Sequence, residues 1–387
     1  MAEPVPKSPK PGPLSGLVVI EMAGLGPVPL AGLILSEMGA DVVRIERVGV
    51  DRPFLQVPPE FDLDRHGRSI VKVNLKDKAG IALMLRLAAS ADVLLEGFRP
   101  GVMERLGLGP EPVHAANPRL VYGRMTGFGQ DGPLADRAGH DLTYLAHTGI
   151  LHAIGSRGGK PVPPLNLVGD YGGGTMFLIA GVLAALLERG VSGRGQVVDA
   201  AMVDGASMLA APFFGFLATG FWRDRRGANL LDSGAPFYDT YDTSDGGNVA
   251  VACLEPQFFA EFARLLPLDQ KFVAGQYDST LWTEMRATIA ARFASATRDE
   301  WATLFAGTDA CVAPVLSLKE APSHPHNVAR GLHGTVGTLV RPMPAPRFSR
   351  TQGKVSSPAV HDPRAVLGRL GIDTAESERF LSDGVVG

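Results

Sequence analysis

Residues 17–47 read LVVIEMAGLGPVPLAGLILSEMGADVVRIER, and the fold follows from them. Leu17-Val18-Val19-Ile20-Glu21 is a short apolar run bounded by small residues, the pattern of a strand buried on both faces. Pro29 to Met38 reads as a helix, because apolar residues recur at helical spacing and Gly39 stops it. Val42-Val43-Arg44-Ile45 is then a second strand. Downstream the alternation repeats: a helix over Ala79–Ala89 with Ile81, Leu85 and Ala88 on one face, a third strand at Val93-Leu94-Leu95, a short helix over Val102–Leu106, and a fourth strand at Leu120-Val121-Tyr122. Strands alternating with helices predict an α/β fold of parallel β-α-β units with right-handed crossovers.

The chain has 387 residues, long for a single core, so two domains are expected. A flexible tail is expected over 1–13, from its prolines and mixed charge; it has no apolar stretch for a signal peptide. The large domain is assigned to 14–225, a smaller α+β domain to 226–325, and a segment returning to the large domain to 326–387. In the small domain, 237–253 and 255–266 read as strands followed by a helix, and helices recur near 280–307. Residues 151–174, rich in glycine and proline, read as loops that position a site, followed by an apolar helix over 175–188 and a further strand and helix over 196–210. The apolar run Met176–Leu187 falls short of the ~20 residues of a membrane span, so it reads as a buried helix.

Hydrophobic residues make up 45 % and charged residues 20 %, with a net charge of −3, which gives no sign of nucleic-acid binding. Cys253 and Cys311 are the two cysteines and form no paired motif, so neither a disulfide framework nor a metal knuckle is expected. A cytoplasmic location fits this composition. Gly24-x-Gly26 after the first strand, with Glu46 ending the second, resembles half of a dinucleotide fingerprint. Proline at 27 and 29 removes the backbone N–H groups that would face a pyrophosphate, so a nicotinamide enzyme is discounted.

Three segments carry chemistry: Ala138-Gly139-His140-Asp141-Leu142-Thr143-Tyr144, Asn166-Leu167-Val168-Gly169-Asp170-Tyr171-Gly172-Gly173-Gly174, and Leu254-Glu255-Pro256-Gln257-Phe258. Taken alone, His140 is as a residue type more often structural than catalytic. Asp170 reads equally as a helix cap or as a functional group. Three glycines behind an aspartate exceed what a cap requires and allow a ligand or backbone to approach closely. An aspartate used for proton delivery needs its pKa raised by burial. The apolar neighbours Leu165, Leu167, Val168 and Met176 are the candidates for supplying it.

Together and in this order, the three segments resemble those of α-methylacyl-CoA racemases, within the family III CoA-transferase superfamily; the likeness runs from near residue 13 to near 351. The resemblance implies a Rossmann-like parallel sheet in the large, coenzyme A-binding domain and an interlocked homodimer. It also implies a two-base 1,1-proton transfer on a 2-methylacyl-CoA thioester: His140 works on one face of the α-carbon, Asp170 on the other, and an enolate lies between. Glu255 matches a family residue that partners the histidine. Arg47, the segment Val73-Asn74-Leu75-Lys76, Gly97-Phe98-Arg99, Arg105, and Gly139, Asp141, Leu142, Thr143 and Tyr144 are implied around the coenzyme. Coenzyme A is part of the substrate, and no separate cofactor or metal is expected. Met176, Met202 and Met208 read as core or as a wall for the acyl chain, with core favoured. The nearest rival is a CoA-transferase in which Asp170 attacks the thioester covalently; a non-catalytic acyl-CoA-binding protein is another. His140 argues for the racemase, since a transferase needs no second base there.

Overall fold

The computed structural model describes residues 11–49 and 57–387; most of the segment expected as a tail lies outside the described residues. Six strands form one parallel sheet: β1 (Val18–Met22), β2 (Asp41–Arg47), β3 (Arg68–Val73), β4 (Val93–Glu96), β5 (Val121–Thr126) and β6 (Val197–Ala201). Their order is β3-β2-β1-β4-β5-β6, the doubly wound arrangement whose direction reverses between β1 and β4. The register puts Ile20 beside Val43 and Leu94, and these side chains are fully buried. The α/β class with a parallel sheet is therefore present.

The helices that cover the sheet begin and end where local chemistry dictates. Helix α1 (Pro27–Glu37) starts two residues earlier than the spacing predicts, because both prolines fall in the first turn, where a missing N–H costs nothing. Helix α2 (Lys78–Ala89) is capped by the Asp77 carboxylate, which accepts from the Ala79 N–H. Helix α3 spans Asp141–Thr148, α4 Met176–Ser192 and α5 Met202–Leu209.

Two expectations need correction. Strand β3 is absent from the sequence reading, since Arg68 and Lys72 interrupt its apolar pattern. It forms because Arg68 is 2 % exposed and its charge is met by Glu21 of β1 at 3.0 Å. The stretch 151–174 is not all loop. Ile150–Ala153 is a helical turn, and Leu167–Thr175 is a wide π-helical turn that runs directly into α4. Glycine permits that turn: a Cβ on Gly173 would lie 2.5 Å from the Ala206 amide nitrogen of α5. The turn and α4 together make 26 residues that hold a window of mean hydropathy 1.6, enough by length and composition to cross a bilayer. In this fold Leu178, Ile179, Val182 and Ala185 are buried in the core that also holds Val121, Met125 and Ala200 of β5 and β6, the placement of a sheet-covering helix.

The chain divides into two units. The first comprises Met1–Thr148, Leu165–Leu209 and Arg330–Gly387. The second comprises Gly149–Pro164 and Ala210–Ala329, so it takes in an earlier stretch as well as the region expected from about 225. Its antiparallel sheet, β7 (Tyr238–Asp242), β8 (Asn248–Ala252) and β9 (Val312–Pro314), has the order β7-β8-β9. Around it pack α6 (Pro256–Leu265), α7 (Trp282–Phe293) and α8 (Arg298–Phe305), with Phe237, Phe259, Phe262, Phe293 and Phe305 as an aromatic core. Aromatic rings bury large areas each, so a small unit gains a sizeable core from few residues.

Candidate active site

A cleft of about 270 Å³ opens at the carboxyl ends of β4 and β5, where open parallel sheets gather ligands. Gly97, Phe98 and Arg99 form one side. Phe128, Arg137, Gly139, His140 and Tyr144 form another, and Leu25, Pro27, Val28, Met125 and Met202 lie beneath. The Gly97–Arg99 loop is held from below. The Phe98 N–H donates to Glu96 at 2.8 Å, and Arg124 donates to the same carboxylate at 2.9 Å. Burial pushes the Glu96 carboxyl upward, while the bonds from Phe98 and Arg124 pull it back.

His140 sits exposed immediately before α3. Its N–H donates to the Thr143 hydroxyl at 2.9 Å, and that hydroxyl donates to the His140 carbonyl at 2.7 Å. The Tyr144 hydroxyl donates to the Gly139 carbonyl, and its ring meets Phe128 edge-on at 4.9 Å. A Cβ on Gly139 would strike that ring at 2.5 Å, which is why glycine precedes the histidine. The histidine's backbone is thus fixed by its own helix start, and its ring faces the cleft.

Asp170 lies inside the π-turn and does not cap it; Asn166 holds the cap position. The Asn166 amide donates to the Asp170 carboxylate at 3.2 Å. The Asp170 N–H donates to the Asp141 carboxylate at 2.8 Å. Across the gap stands the turn before α1, where a Cβ on Gly26 would lie 3.3 Å from the Asp170 carboxylate. Thr175, fully buried, ties this arrangement by donating to the Pro27 carbonyl at 2.8 Å. Burial raises the Asp170 pKa; the Asn166 bond lowers it, the Asp141 charge raises it, and a charged His140 lowers it. The expected source of that burial is corrected: Leu165 is 72 %, Leu167 56 % and Met176 51 % exposed. These side chains turn outward, and the glycine turn, α3 and Asn166 enclose the carboxylate instead.

The remaining candidates separate. Gly97, Phe98, Arg99, Gly139, His140 and Tyr144 meet in the cleft. Leu142 and Thr143 are exposed on the first turn of α3, whereas the Asp141 carboxylate is buried and engaged with Asp170. Arg47 is exposed at the end of β2, and Lys76 is exposed beyond β3. The Asn74 side chain accepts from the Lys76 N–H at 3.2 Å; Val73 belongs to the core and Leu75 packs on it. Arg105 ends the short helix Val102–Arg105. Of the methionines, Met202 lines the cleft, while Met208 is 64 % exposed. Glu46, the acid of the apparent dinucleotide fingerprint, is bound by Arg44 and Arg65. Glu255 belongs to the second unit, exposed at the start of α6 and making no side-chain cap bond. Sequence reasoning missed Arg137 and the Leu25–Val28 turn. Arg137 stands three residues before His140, and only its proximity to that motif could have flagged it.

Residues 14–363 match the profile of CoA-transferase family III. Over 380 residues the chain is 44 % identical to the alpha-methylacyl-CoA racemase of Mus musculus, covering 96 % of this chain and 97 % of the relative. The Homo sapiens racemase is 43 % identical over 381 residues, with the same coverage of 96 % and 97 %. Among solved structures, a CAIB/BAIF family protein from Brucella suis superposes with a TM-score of 0.79 at 26 % identity, covering 93 % of this chain and all of that one.

Proposed function

Because the chain belongs to CoA-transferase family III, we propose that it is an isomerase, an α-methylacyl-CoA racemase that interconverts (2R)- and (2S)-2-methylacyl-CoA thioesters. Two racemases of that name share 43–44 % of its sequence over nearly their whole length. The single structural observation that carries the chemistry is Asp170. It is a half-buried carboxylate raised by desolvation, close enough to His140 to feel its charge, and held by an amide. A carboxyl raised in this way is better suited to carry and deliver a proton than an exposed one.

In the proposed reaction the His140 imidazole removes the α-proton from one face of the thioester. The electron pair passes to the carbonyl oxygen, giving a planar enolate. The Asp170 carboxyl then delivers a proton to the opposite face, and the reverse sequence serves the other enantiomer. Charge developing on the thioester oxygen is met by the first amides of α3, which a helix start leaves without internal partners. Arg99 and Arg137, exposed at the cleft, supply cationic contacts for the coenzyme's phosphates. Coenzyme A enters as part of the substrate. Glu255 is assigned as a partner of the histidine on the resemblance, and a homodimer is the proposed assembly.

The test uses one enantiomer of a 2-methylacyl-CoA in heavy water, with no acceptor acid. Loss of optical purity together with α-deuterium uptake is the expected result. Unchanged substrate, with acyl transfer only after a second acid is added, would overturn the proposal in favour of covalent transfer through Asp170.

A further inference from the structure

We propose that Asp141 is a positioning residue that locks the two proton-transfer groups to one another, by tying the Asp170 backbone to the helix that starts directly after His140. The inference rests on the reading of His140 and Asp170 as the two bases.

The bond is built from both sides. On one side, the π-turn donates its ladder bond from the Tyr171 N–H to the Asn166 carbonyl at 3.3 Å. Asp170 precedes Tyr171, so its amide falls among the first N–H groups of the turn, which have no acceptor inside the helix. The Asp141 carboxylate fills that vacancy at 2.8 Å across 29 residues of sequence. On the other side, Gly169 makes room: a Cβ there would sit 2.3 Å from the same Asp141 oxygen. Asp141 is 8 % exposed. A first-turn aspartate that only complemented a helix dipole could stay in water at less cost. Instead its carboxylate is withdrawn from solvent and spent on one amide, the amide of the second base.

The geometry has an electrostatic consequence. Asp170 is faced by Asn166 from its own turn, by His140 just before α3, by Asp141 and Tyr144 from α3, and by the uncharged Gly26 turn before α1. Of these, the Asp141 carboxylate pushes Asp170 toward the protonated form. Positioning and charge can be separated. Asp141→Asn keeps an oxygen acceptor for the amide and removes the charge. Asp141→Ala removes both.

The experiment measures kcat, KM and the pH profile of racemisation for the full-length variants, with circular dichroism as a check on folding. Asp141→Ala is expected to lower kcat on the order of 10²-fold with KM changed little, the scale of a misplaced catalytic group. Asp141→Asn should recover most of that kcat, while the acid limb of kcat/KM moves to lower pH, because a group that raised Asp170 has lost its charge. Gly169→Ala, which obstructs the bond from the opposite side, should reproduce the Asp141→Ala loss, and the double variant should be no worse than either single one. Should the alanine variant fail to fold, the asparagine pH shift and the Gly169→Ala kinetics decide the matter. A folded Asp141→Ala with wild-type kcat overturns the proposal, and so does a loss confined to KM. An asparagine variant as impaired as alanine, with its acid limb unmoved, overturns it as well. Asp170→Asn is measured in parallel: if that variant racemises at the wild-type rate, the two-base reading itself fails. If it loses on the order of 10²-fold or more while Asp141→Ala keeps the wild-type kcat, only the role of Asp141 fails.

Discussion

Glu96 and Asp170 are two carboxylates that each adjoin residues of the cleft, and their surroundings differ. Glu96 is 1 % exposed and bound by the Arg124 guanidinium. Farther along the sheet, Glu21 is fully buried between Arg44 and Arg68. Asp170 is less buried, yet its side chain meets an asparagine amide and the charge of a second carboxylate. A buried ion pair fixes protonation, because removing either partner strands a charge. A carboxylate held only by an amide is left free to change its proton. Arginines thus meet Glu96 and Glu21, whereas Asp170 is met by an amide.

The sharpest way to break this contrast is Asp170→Asn. Racemisation should fall by roughly 10²–10⁴-fold, the usual contribution of a positioned acid–base group; chiral analysis of a single enantiomer after incubation reads it. Next in size is Arg124→Ala, which leaves Glu96 buried without its cation. A loss of about 3–5 kcal/mol is expected in urea unfolding. The enzyme that remains folded should bind acyl-CoA less well, since the Gly97–Arg99 loop hangs from Glu96. An Arg124→Ala protein as stable as the parent would remove the distinction between the two acids.

Smaller effects sharpen it. With Asp170 raised by burial, the acid limb of kcat/KM should lie above the ordinary carboxylate range of about 4. Asn166→Leu deletes the bond that lowers Asp170, so that limb should move to still higher pH, opposite to the shift predicted for Asp141→Asn. The smallest effect is on stability. A carboxyl raised in the folded state binds its proton more tightly there, so the ionised form costs stability once pH exceeds the unfolded value. Asp170→Asn should therefore raise Tm slightly at neutral pH, and the gain should vanish in acid, where both states carry the proton. A gain equally large in acid would point to packing instead.

The parallel α/β pattern was legible because strands buried on both faces need unbroken apolar runs, and 17–47 contains two of them around a proline-started helix. Strand β3 was hidden, because Arg68 looks like a surface residue until Glu21 is placed beside it. His140 and Asp170 could be nominated from their glycine frames, but the frames gave the wrong surroundings for the aspartate. Its neighbours in sequence, Leu165, Leu167 and Met176, point away from it.

The chain by itself determined which segments are apolar enough to become sheet, where helices start and stop, and which glycines leave room around two proton-transfer candidates. These are local properties, written in periodicity, caps and side-chain volume. Only the tertiary structure decided that Asp141 reaches Asp170, that Gly26 closes over its carboxylate, and that Glu96 receives an arginine while Asp170 does not. The physical reason is that a carboxylate's protonation depends on the charges and solvent within a few ångströms of it. For Asp170, Asn166 comes from its own turn, while Asp141, His140 and Gly26 come from residues far away along the chain.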